Sequence, residues 1–177
     1  MVAWASSAAA QASEYPYSPH ASGPEDFHPA ERSGPFVSVG IGTQHAGFGT
    51  HAGWYQVPPE AGFTWAPYAG LGALPGYESL PVLPGVVLGV MAQWGHVDRW
   101  VIDANFGRIG IQGISLAGVA IGQRNVYGLG LSAGREWDFP SGVLLRALVG
   151  VALPADPVYR AIDDAQFTLG LAVGYRL

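Results

Sequence analysis

The sequence predicts an all-β chain, closed into an antiparallel up-and-down barrel with its apolar face turned outward. Three observations predict it. From about residue 35 to the end, Val, Ile, Leu and aromatic residues alternate with small or polar ones in stretches of about ten residues. Residues 33–97 carry only two charges, Glu60 and Glu78, whereas a water-facing surface is roughly 25–35% charged. Glycine reaches 26 of 177 residues, about twice the usual share of roughly 7%, and much of it falls on the strand face opposite the large apolar side chains.

Residues 1–12, MVAWASSAAAQA, are uncharged and small-to-apolar, and they end in Ala10-Gln11-Ala12, the spacing a signal peptidase accepts. Cleavage before Ser13 is expected, from an export signal that is truncated, since no Lys or Arg precedes Arg32; an Ala-rich tail is the alternative. Residues 13–34 place Pro16, Pro19, Pro24 and Pro29 among Ser, Gly and acids, a composition with too little apolar surface to order itself. A disordered arm is predicted there, and the barrel over 35–177.

Strand candidates follow at 36–43 and 46–56, where His45, Gly47, Gly49, His51 and Gly53 alternate with Phe48, Ala52 and Trp54. Further candidates are 63–73 and 85–95, then 98–107 with Trp100, Ile102, Ala104 and Phe106 opposite Arg99, Asp103 and Asn105. In 109–122, Ile109 and Ile111 are out of phase with Ile114 and Leu116, which predicts a bulge near Gly113. Residues 126–136 and 142–152 come next, the latter with Val143, Leu145, Ala147, Val149 and Val151 against Arg146 and Gly150. The last segment puts Phe167, Leu169, Leu171, Val173, Tyr175 and Leu177 on one face. A barrel with both termini on one side needs an even strand number. Eight is expected, with ten as the alternative, if 36–56 is one long bent strand or 107–122 divides differently. Counting back from the C-terminus makes Pro154–Ala165 an outer loop and Asp138–Gly142 a short inner turn, and leaves 74–84 on the inner side.

Spanning helices are excluded on composition. The uncharged stretches 79–97 and 36–59 are long enough, but each is broken by prolines and glycines that would ruin such a helix. The second strand face decides which solvent the apolar face meets. It holds Gly40, Gly42, Gly70, Gly72, Gly89, Gly128, Gly130, Gly150 and Gly170 with an occasional Arg, Asp, Gln or Thr. Small residues inside a narrow barrel leave room for a few long polar ones, while lipid covers the outer face. Trp54, Trp65, Trp94, Trp100, Trp137 and Tyr175 lie near segment ends, where membrane barrels place aromatic girdles.

The closing stretch Thr168-Leu-Gly-Leu-Ala-Val-Gly-Tyr-Arg-Leu177 resembles the C-terminal signature of bacterial outer-membrane β-barrels, with alternate hydrophobic residues running to the end and an aromatic third from last. The departure is Leu177, where that family usually has Phe or Trp. The rest of 35–177 is similar in pattern to the small OmpA/OmpX-type barrels. The resemblance implies a Gram-negative outer-membrane protein, exported through the periplasm and surrounded by outer-membrane lipids. It also implies that the barrel assembly machinery reads Phe167, Leu169, Leu171, Val173, Tyr175 and Leu177 during insertion.

Charged side chains on the second face must pair inside, because an Arg facing lipid at mid-bilayer costs about 2–4 kcal/mol. Arg99, Asp103, Glu136, Arg146 and Arg176, with Gln93, are predicted to form a lumenal polar network that plugs the barrel; a selectivity filter is the sharper alternative. His45 and His51 would stand about 20 Å apart on a straight strand, too far to share a metal unless the chain turns between them, so no metal site is expected. A lipid hydrolase would need a Ser beside a His and an acid. Ser115, Ser132 and Ser141, His45, His51 and His96, Asp103 and Glu136 are available, but no local motif joins them. The GxG pairs at Gly40 and Gly128 precede no helix, so no phosphate loop is present. All eight bases are Arg, net charge is −5, and Cys is absent, which speaks against nucleic-acid binding and excludes thiolate chemistry. The expected role is structural or adhesive, through the loops, without enzymatic activity or cofactor. The alternatives are a lipid hydrolase of the same fold and a soluble β-barrel holding an apolar ligand.

Overall fold

A computed structural model of the chain describes residues 33–58, 63–75, 80–95, 98–116, 119–155 and 165–177. The predicted segment 1–12 and nearly all of 13–34 lie outside them. Eight strands form one closed antiparallel barrel in sequential order: β1 Gly34–Gly42, β2 Gly47–Tyr55, β3 Phe63–Leu74, β4 Leu83–Trp94, β5 Asp98–Leu116, β6 Val119–Asp138, β7 Val143–Pro154 and β8 Gln166–Arg176. Closure is made by β1 against β8, from Phe36↔Arg176 to Ile41↔Leu171. Following the registers once round the barrel returns about ten residues further along β1, a stagger that goes with a strand tilt of roughly 40°.

The nine candidate segments reduce to eight strands because 109–122 is not a strand of its own. Its two halves prolong β5 and β6, which pair as far as Leu116↔Val119. The 36–56 region, by contrast, is a true hairpin, turned at a 3-10 segment Thr43–His45. Left-handed Ala46 and positive-φ Gly42 and Gly47 let that tip fold inward. The irregularity expected near Gly113 is present one residue further on, and a second lies closer to the barrel. Register shifts fall between Arg108 and Gly110, where Ile109 has no partner, and between Ile114 and Ser115. With this count the 74–84 connection lies at the same end as Pro154–Ala165, not opposite it.

β5 and β6 outrun their other neighbours. The last β4–β5 pair is Val87↔Gly107 and the last β6–β7 pair Gly128↔Pro154, so 108–116 and 119–127 project as a two-stranded ribbon. At its far end Ile114, Leu116, Val119 and Ile121 are all exposed.

Alternation fixes what each face meets. Outward positions such as Val39, Leu71, Leu88, Ile102, Leu131, Val149 and Leu171 are exposed, while Phe36, Tyr55, Tyr68, Met91, Leu144 and Leu148 fill the inside. Inner glycines make room for their long neighbours. A Cβ at Gly89 would strike the Tyr68 ring, one at Gly130 the Asn105 amide and one at Gly170 the Gln44 amide.

Candidate functional site

The lumen gathers the charged residues of the second face. Arg99, Arg146 and Arg176 are buried with Asp103, Glu136 and Asp138, three cations against three carboxylates. Glu136 pairs with Arg146, whose Nε donates to it at 2.8 Å. It also accepts from Gln93 Nε2 at 2.9 Å and from the Tyr55 hydroxyl at 3.1 Å. Arg99 pairs with Asp138 and donates to Gln93 Oε1 at 2.8 Å. Arg176 approaches the same Asp138 oxygen at 3.2 Å and lies over the Tyr55 ring, 3.9 Å from its centroid. Asp103 accepts from the Tyr68 hydroxyl at 2.8 Å and from Asn105 Nδ2 at 2.7 Å. A buried charge is tolerated when it is paired or hydrogen-bonded; Glu136 and Asp138 have arginine partners, whereas Asp103 is held by two neutral donors.

Arg99, Glu136, Arg146 and Arg176 are therefore joined directly or through Gln93, Tyr55 and Asp138, while Asp103 stands on the Tyr68 side. Asp138, Tyr55, Tyr68 and Asn105 were not among the network residues expected from sequence. The sequence pattern puts Asp138 at the start of a turn. It closes β6 instead, two residues beyond Glu136 and on the same face, which is the signal that could have found it.

The two histidines are not apart. The hairpin tip brings the His45 and His51 rings into a stack, with centroids 4.4 Å apart. His45 Nε2 lies 3.2 Å from the Ser38 hydroxyl, and His51 Nε2 3.2 Å from Arg146 Nη1. Burial, and then the positive charge of Arg146, push the His45 imidazole down to about 4. No group of three or more His, Cys, Asp or Glu able to hold a metal occurs among the described residues. Of the hydrolase candidates, Ser132 is buried, Ser141 is exposed in the β6–β7 turn and Ser115 falls in β5, while His96 lies outside the described residues. Among the described residues, the serine that meets a histidine is Ser38.

Trp54, Trp65, Trp94, Trp100, Trp137 and Tyr175 all point outward and all lie at one end of the barrel, the end bearing Gly34 and Leu177. Arg135 faces outward at the same level, 4.3 Å from the centroid of the Trp100 ring and paired with Asp98. Its long stem lets it reach the aqueous edge. Phe167, Leu169, Leu171, Val173, Tyr175 and Leu177 are exposed on β8.

At the opposite mouth Arg108, which sequence reasoning did not single out, turns inward at the bulge. It donates to the carbonyls of Leu83 and Ala46. The bulge takes up one residue, Ile109, so a strict period-two count gives no hint of it.

A closed eight-stranded antiparallel barrel with an apolar exterior and a charged interior has the architecture of the small OmpA/OmpX-type barrels. Among solved structures the chain is similar to the Yersinia pestis outer membrane protein Ail in a phospholipid bilayer nanodisc, at 12% identity and a TM-score of 0.44, over 82% of this chain and 100% of that one. No family model and no curated protein matches the sequence.

Proposed function

We propose that this protein is a transmembrane barrel of the bacterial outer membrane, with a lumen closed by its own side chains and a non-enzymatic, adhesive or binding role carried by the end opposite its termini. The observation that carries the reading is the outer face. Among the described residues its charges are confined to Asp98 and Arg135 at the aromatic end and Arg124 on the projecting ribbon, with apolar and small residues between. On β8 the apolar positions run from Phe167 to Leu177, a length of about 33 Å that a tilt of roughly 40° reduces to about 25 Å, the height of an outer-membrane apolar band. The aromatic end then faces the periplasm, and the β5–β6 ribbon with its apolar tip faces out.

Closure is supported by the size of the fold and by its contents, because side chains just fill an eight-stranded barrel. The test is gel mobility with and without boiling, on protein extracted from the outer-membrane fraction, followed by recording in planar bilayers. A mobility shift without conductance steps is expected. A protein that stays in solution without detergent and migrates alike boiled and unboiled overturns the location, and steady channel steps overturn the closed lumen. For the ribbon, excising 111–125 and joining Gly110 to Val126 through Asn-Gly should keep the mobility shift while reducing attachment of producing cells to polystyrene. Unchanged attachment removes the role given to the tip.

A further inference from the structure

The short β1–β2 hairpin leaves a lateral notch in the mouth. β8 continues past its last pair with β1, Ile41↔Leu171, through Gln166–Gly170, while the hairpin ends at Gly42 and Gly47 and its tip folds into the lumen. The resulting cavity, of about 430 Å³, is bordered by Thr43 and Arg108 on the inner side and by Ile41, Phe48, Leu74 and Leu169. Ile41, Phe48 and Leu169 belong to the outer apolar face. One opening thus connects a buried cation to the lipid-facing wall.

Arg108 differs from the lumenal arginines below it. Its hydrogen bonds go to the carbonyls of Leu83 and Ala46 and, at 3.4 Å, to the Asn125 amide oxygen. No carboxylate among the described residues pairs with it, although the residue is 1% exposed. Its Nε and the hydroxyl of Thr43 are both buried with no hydrogen-bond partner among the described residues. A buried cation with no carboxylate partner among the described residues, bordering a cavity, favours an anion there. A guanidinium fork suits phosphate or carboxylate oxygens. The volume has room for about fourteen waters at about 30 Å³ each, more than a bare anion fills, and most of the remaining wall is apolar.

We infer that this notch binds an anionic amphiphile, with its phosphate or carboxylate at Arg108 and Thr43 and its hydrocarbon chain leaving over Ile41, Phe48 and Leu169. The inference rests on the outer face meeting lipid, the reading proposed above. The test uses the full chain folded in an uncharged maltoside detergent, titrated with monododecyl phosphate, dodecanol and inorganic phosphate and read by native mass spectrometry. Dodecyl phosphate should form a one-to-one complex, with dodecanol and inorganic phosphate each at least tenfold weaker. Arg108→Gln should weaken dodecyl phosphate at least tenfold and Phe48→Ala at least threefold. Where Arg108→Gln yields no heat-modifiable band, Phe48→Ala, a change on the outer surface, decides. Wild-type affinity in either folded variant overturns the site, and so does equally tight binding of inorganic phosphate or dodecanol. A wild-type protein with no heat-modifiable mobility refutes the barrel in lipid itself. Intact mobility without dodecyl phosphate binding refutes only the notch.

Discussion

Removing one member of the Glu136–Arg146 pair should destabilise the barrel far more than removing both. Glu136 is completely buried and accepts from Arg146, Gln93 and Tyr55. Arg146 is buried as well, and its other hydrogen-bond partners are His51 and the Tyr55 hydroxyl, neither of which is a carboxylate. For charge centres about 4 Å apart at an effective dielectric of about 20, the attraction is about 4 kcal/mol. Glu136→Leu forfeits this, strands a cation in a space already shared with Arg99 and Arg176, and leaves the Gln93 amide and the Tyr55 hydroxyl without their acceptor. A loss of about 3–5 kcal/mol is expected, as for other buried pairs broken on one side. Arg146→Leu leaves the carboxylate stranded and should cost a similar amount.

The double variant restores charge balance with apolar side chains, and should be less destabilised than either single one, by about 2 kcal/mol. The assay is urea unfolding of the protein in lipid vesicles followed by tryptophan fluorescence, with heat-modifiable mobility as the check on folding. Single variants within about 1 kcal/mol of wild type would mean that water already screens the pair. A double variant as unstable as the two singles summed would show no coupling between the residues. Either result refutes the paired-core reasoning.

Leu131, outward and mid-strand on β6 beside Ala104 and Val151, gives a reciprocal test in the same assay. Leu131→Arg should cost about 2–4 kcal/mol in vesicles, and a cost near zero would mean that this face meets water. A Cβ added to Gly72 would collide with the His45 carbonyl, while one at Gly122 comes no nearer than 3.9 Å to the Ile114 side chain. Gly72→Ala should therefore lose at least about 1 kcal/mol and Gly122→Ala stay within about 0.5 kcal/mol; equal effects would mean that the inward-folded tip is not held against β3. His45, faced by Ser38, His51 and Arg146, sets a pH dependence. Above about pH 6.5 it is neutral whether folded or unfolded. Between about 6.5 and 4 the unfolded chain takes up the proton first, so stability should fall with pH by at most about 3 kcal/mol. His45→Gln should remove that part of the slope, and an unchanged slope would place its origin in other groups.

Period-two patterning made the barrel and the two faces of its strands readable, because a strand residue's side follows from parity alone. Parity survives until a residue is inserted. Ile109 is such a residue: the bulge turns Arg108 inward next to an inward Gly107, against parity, and beyond it the count slips, so that 109–122 reads as a separate strand. Network partners are harder to read, since pairing depends on register between strands. Glu136 and Arg146 face one another because β6 and β7 pair them directly, whereas Arg99 reaches Asp138 although its own β6 partner is Glu136, a diagonal that strand patterns do not encode. The histidine pair fails for a third reason. Its 20 Å separation assumed an extended chain, but a left-handed Ala46 between flexible glycines reverses the backbone within a few residues and stacks rings that alternation alone would hold apart. The positions hardest to read are thus those where the backbone departs from the regular ladder, at the bulge and at the inward-folded tip. Both lie at the mouth, where Arg108 reaches the Ala46 carbonyl, so the departures that hid this region from sequence reasoning are also what build the notch.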